Sequence, residues 1–157
     1  MDGRECYVSI TITSDKITKL MNEHQSELDL FYSFDNGVWG EYKIEDDVFI
    51  ANASNLGCLF WDMPKSKEGI VKALASLFSF GEVFDLAILQ DEDIEIQYNE
   101  ELIPLLEALL INEKTLTESI TSAEWTSGFQ NFGEFGDDKK ETHFTYDVEN
   151  GCKVENK

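Results

Sequence analysis

Residues 6–13, Cys6-Tyr7-Val8-Ser9-Ile10-Thr11-Ile12-Thr13, alternate in character. Val8, Ile10 and Ile12 fall on one side, and Tyr7, Ser9 and Thr11 on the other. A two-residue period rich in β-branched side chains is the signature of a strand with one buried face. Immediately downstream, Ser14 or Asp15 can cap a helix. Its apolar stripe would be Ile17, Leu20, Met21, His24 and Leu28, spaced by three and four. Leu28 to Phe34 alternates again and reads as a second strand that overlaps the helix at Leu28. Asn36-Gly37 tolerates the positive φ of a tight hairpin, which makes Val38 to Ile44 the returning strand. Glu45-Asp46-Asp47 is a charged turn, and Val48 to Ala53 and Gly57 to Met63 read as two more strands before Pro64.

The second half is more helical. Lys67 to Phe80 carries a buried stripe of Ile70, Val71, Leu74, Leu77 and Phe78, and Gly81 suits the position just past a helix end. Val83 to Gln90 reads as a buried strand, and Ile94, Ile96 and Tyr98 mark a half-exposed one. A proline fits a helix only in its first turn. The next helix therefore begins near Ile103, with Pro104 at its start and Leu105, Leu106, Leu109 and Leu110 inward. Thr115 to Trp125 reads as a short helix. Thr126 to Glu141 holds Gly128, Gly133 and Gly136 and reads as a loop. Phe144, Tyr146 and Val148 alternate as a last strand, and Gly151 to Lys157 is expected to be a frayed tail. Strands in succession, rather than strictly alternating with helices, imply an α+β fold. We expect one domain over residues 1–157, with a mostly antiparallel sheet of about five to seven strands against about two to four helices.

Composition narrows the function. The 157 residues include 42% hydrophobic side chains, enough for a packed core, and three cysteines too far apart for a disulfide framework. No signal peptide or membrane-length apolar run is evident in the sequence. A reducing cytoplasm is the expected setting. Thirty-two acids against twelve bases give a net charge of −20. A small domain is comfortable at a magnitude of about 2–8. Such a chain repels nucleic acid and anionic membranes and attracts basic proteins.

No catalytic, metal or cofactor motif is legible. His24 lies on a helical stripe and His143 before a strand, and neither belongs to a metal-ligand pattern. Asp91, Asp93 and Glu95 match the first ligands of a calcium loop. Ile96 and Leu102 then stand where that loop needs glycine and glutamate. With 32 acids, carboxylate pairs at a glycosidase spacing arise by chance and carry no weight.

The distribution of charge is more telling. The 41 residues between Lys72 and Lys114 contain no lysine or arginine but ten acids. Glu82, Asp85, Asp91, Glu92, Asp93, Glu95, Glu100 and Glu101 are the candidate anionic surface. Phe129, Phe132 and Phe135, in the glycine-rich loop, are candidate aromatic anchors, as are Trp39 and Trp61. The expectation is an acidic inhibitor of a basic protein, an immunity protein against a nuclease toxin being the leading form. One alternative is a nucleic-acid mimic that blocks a defence or restriction enzyme. Another is a small enzyme or ligand-binding domain whose site is assembled from distant residues.

Overall fold

The computed structural model describes residues 3–33, 38–56, 63–79, 100–132 and 139–156. Strand β1 (Gly3–Thr13) is followed by helices α1 (Asp15–Glu23) and α2 (Gln25–Ser33), then by strands β2 (Val38–Glu45) and β3 (Val48–Leu56). A 3₁₀ turn at Lys67–Gly69 leads into α3 (Ile70–Phe78), and another at Glu100–Leu102 leads into α4 (Ile103–Ile111) and α5 (Glu113–Ser119). Strands β4 (Ser122–Phe132), β5 (Lys139–Asp147) and β6 (Gly151–Asn156) complete the chain. The six strands form one sheet in the order β2-β3-β1-β4-β5-β6, every neighbouring pair antiparallel.

The alternation of β1 fixes which face is covered. Val8, Ile10 and Ile12 share a face with Phe49, Ala51 and Ala53 of β3 and with Ala123 and Trp125 of β4. Phe144 of β5 lies beside Trp125. These side chains are at most 2% exposed and merge with Ile17, Met21, Leu28, Phe31, Leu74, Phe78, Leu105 and Leu109 of the helices into one apolar cluster. Inside it, the Phe31 ring meets Phe78 edge-on at 5.1 Å. Burial of this kind contributes about 25 cal/mol per Å² of apolar surface and is the main force holding helices to sheet.

Local signals end the elements. Ser14 caps α1, its hydroxyl accepting the Ile17 amide at 3.0 Å. Pro104 sits in the first turn of α4, where a missing amide costs nothing. Asp46 adopts φ 51° in the two-residue turn between β2 and β3, a conformation that a short polar side chain tolerates.

Four readings of the sequence are corrected. Residues 28–33 are helical, not extended: Leu28 and Phe31 are fully buried with Tyr32 beside them, so the one-sided pattern is spaced by three and four. This segment adds a fifth α-helix among the described residues, and β2 pairs with β3 instead of returning along it. The helix expected over Thr115–Trp125 stops at Ser119. There Ile120 turns extended and the Thr121 amide bonds to the Thr13 carbonyl at 2.9 Å. Most of the expected loop over Thr126–Glu141 is strand, because β4 runs to Phe132 and β5 starts at Lys139. The expected tail is β6, turned back by Asp147, whose carboxylate accepts the amides of Glu149 and Asn150. The Asn36-Gly37 turn, the strand from Gly57 and the strands expected over 83–98 lie outside the described residues, with only Met63 of the second inside.

Candidate functional site: the open sheet face and its edges

Strand pairing sets side chains of the uncovered face into rows. One row runs Trp39, Ser54, Tyr7, Gly128, Glu141 across five strands, and the next runs Glu41, Asn52, Ser9, Thr126, His143, Glu155. In the first row Tyr7 reaches over β4 and donates to Glu141 Oε2 at 2.6 Å. It can do so only because position 128 is glycine. A Cβ there would stand 2.8 Å from the Tyr7 hydroxyl and 2.4 Å from the Lys140 carbonyl. His143 Nε2 lies 2.6 Å from Glu141 Oε1, and its Nδ1 meets the Thr126 hydroxyl at 3.1 Å. Lys139 Nζ stands 3.8 Å from Glu141.

The Tyr7 hydrogen bond, with the nearby Lys139 charge adding to it, holds the Glu141 carboxyl below its ordinary range. Burial, then Glu141 itself, pushes the Tyr7 phenol well above its ordinary value. A carboxylate so committed is a poor proton acceptor near neutral pH. The arrangement is a clasp between strands. The sequence reading, which takes Gly128 as a loop residue, does not find it; a glycine inside a strand, marking a close approach, is the signal that could have.

A second polar cluster lies where α2 meets the β2 edge. The Tyr32 and Tyr42 rings stack at 6.0 Å with 22° between planes. Tyr42 donates to Asp29 at 2.6 Å, and Tyr32 to the Asn52 carbonyl at 2.9 Å. Burial, reinforced by Asp29, pushes the Tyr42 phenol up to about 12. A shallow hollow of about 330 Å³ opens here, lined by Asp29, Tyr32, Ser33, Gly40, Glu41 and Tyr42. Carboxylates and aromatic faces around one hollow favour a cationic group. A second hollow, of about 380 Å³, is lined by Glu68, Glu113 and Glu118 but also by Lys67 and Lys114, so its charge is mixed.

Of the anionic residues read from the sequence, Glu82, Asp85, Asp91, Glu92, Asp93 and Glu95 lie outside the described residues, as do Phe135 and Trp61. Glu100 opens the 3₁₀ turn before α4, and Glu101 beside it is exposed. Phe129 lies in strand β4 rather than in a loop, between Cys6 and Lys140, and is half-buried. Phe132 is the last residue of β4, paired with Gly3. Trp39 is 55% exposed at the start of β2. No three His, Cys, Asp or Glu side chains among the described residues group as metal ligands, and no helix among them is long and apolar enough to cross a membrane. No protein-family model matches the chain, and no curated protein or solved structure matches it.

Proposed function

We propose that this chain is an acidic inhibitor that binds and neutralises a basic protein, in the form of an immunity protein against a nuclease toxin. The observation that carries the reading is the 41-residue stretch with ten acids and no lysine or arginine, in a chain of net charge −20. Unbalanced charge of this size costs stability through self-repulsion and gives fast, selective association with an oppositely charged surface. A nuclease must present cations to phosphates, which makes its substrate surface the natural complement. Two further features support the reading. Trp39 offers an exposed aromatic of the kind that anchors interfaces, and the Asp29–Tyr42 hollow suits a lysine or arginine side chain.

The test is capture of a nuclease from lysate of the source cells at low salt, with release at high salt. Adding the chain back should abolish the activity of the released nuclease. Changing Asp91, Asp93 and Glu95 together to lysine should remove the inhibition. An inhibitory strength untouched by that triple change would show that the cation-free stretch is not the contact surface. A released nuclease that stays active with the chain added back would end the inhibitor reading.

A further inference from the structure

Strand β6 ends the sheet, hydrogen-bonded on one side to β5. Cys152, Lys153, Val154, Glu155 and Asn156 are all exposed. A strand at the margin of a sheet, paired on one side only among the described residues, is a template for another strand. Val154 lies next to Phe144 on the face that helices cover elsewhere, yet it is 45% exposed where Phe144 is fully buried. On the open face, Lys153 and Glu155 stand 2.8 Å apart.

We propose that β6 pairs antiparallel with β6 of a second copy about a two-fold axis through Val154. In this register Lys153 of each copy faces Glu155 of the other, and the two Val154 side chains meet on the opposite face. Sliding by two residues in either direction sets Lys153 on Lys153 or Glu155 on Glu155, which opposes like charges. Sliding by one turns the side chains to the wrong faces. Pleat and charge together therefore select a single register.

The other outer strand, β2, has the same spacing in Lys43 and Glu45, but helix α2 packs against it, with Tyr42 stacked on Tyr32. Pairing β6 with itself closes a dimer and leaves no growing end. One strand pair buries little area, so the dimer is weak and concentration-dependent. Two copies of net charge −20 repel, and salt screens that repulsion. Association between copies should strengthen with added salt, whereas binding to a basic partner should weaken. The two ideas can therefore fail separately.

Sedimentation of the full chain over a concentration series tests the pairing. A monomer–dimer equilibrium that shifts toward dimer with salt is expected. Lys153→Glu alone and Glu155→Lys alone should each weaken dimerisation by about tenfold or more, since each sets two like-charge pairs across the axis. An equal mixture of the two variants should dimerise again, because the two acidic positions of one then face the two basic positions of the other. In the unaltered chain, amide exchange within β6 should slow as concentration rises. A chain that stays monomeric throughout, assembles beyond a dimer, or dimerises equally well as either single variant would overturn the proposal. So would β6 exchange rates that do not depend on concentration.

Discussion

On the covered side of β1, Val8, Ile10 and Ile12 are at most 2% exposed, while one residue along Tyr7, Ser9 and Thr11 are in contact with solvent. The same backbone carries both sets, and they are held by different forces. The covered side relies on apolar burial, which has little directional preference. The open side relies on directed contacts, such as Tyr7 to Glu141 and the strand pairs Lys43–Glu45 and Lys153–Glu155 at 2.7 and 2.8 Å. Partly exposed contacts of that kind contribute little to stability. Tyr7 to Glu141, which joins two strands, favours one register, and the pairs within β2 and β6 leave a surface whose charges are locally matched. The cation-free stretch is the opposite case, with acids in sequence and no internal counter-charge.

This contrast can be broken experimentally. The largest effect should come from the covered side. Trp125→Ala removes a ring that is 1% exposed and should cost about 3–5 kcal/mol, read from the urea midpoint. A cost well under that range would mean that the indole is not central to the core. Next, Gly128→Ala places a methyl group against the Lys140 carbonyl and the Tyr7 ring and should cost about 1–3 kcal/mol, although it touches only the open side. An unchanged midpoint would show that β4 relaxes away from Tyr7.

Smaller still, Tyr7→Phe should cost about 1 kcal/mol, because the lost bond is to a charged group but is partly wet. Its pH dependence is the sharper reading. The Glu141 carboxyl sits below its ordinary value in the fold. The stability it supplies is therefore present above the unfolded carboxylate pKa of about 4.3 and is lost as pH falls through the lower folded value. Tyr7→Phe should shrink that acid loss. On the alkaline side, the raised Tyr7 phenol makes stability fall as pH climbs above about 10, and the same substitution should remove part of this fall. Identical slopes in both proteins would show that the clasp is not formed in solution.

What the sequence disclosed follows the range of the interactions. The β1 alternation, the Ser14 cap, the first-turn Pro104 and the Asp46-Asp47 turn are decided by neighbours a few residues away, and all appear in the fold. Residues 28–33 misled because Leu28, Leu30 and Tyr32 fit an alternating period, whereas Leu28, Phe31 and Tyr32 fit a helical one. Only packing against Phe78 decides between them. Gly128 reads as loop from its neighbours because its purpose is a ring that arrives from Tyr7, whose bond to Glu141 spans 134 residues. β6 carries little apolar alternation, being the last strand of the sheet. The candidate surface divides in the same manner. Its charge imbalance is a composition, visible without a fold, whereas the placing of Phe129 inside β4 depended on strand pairing.

The central position of β1 also bears on how the chain is made. Its first partner, β3, is complete by residue 56, but its second, β4, begins at Ser122. During vectorial synthesis the three-strand unit β2-β3-β1 can assemble early, with β1 at its bare margin until β4 leaves the ribosome. Contacts this distant in sequence slow folding, and an uncovered strand in the interim is open to wrong partners. A strong negative charge carried by the nascent chain keeps such intermediates apart. The acidity thus also acts during synthesis, before the sheet is complete.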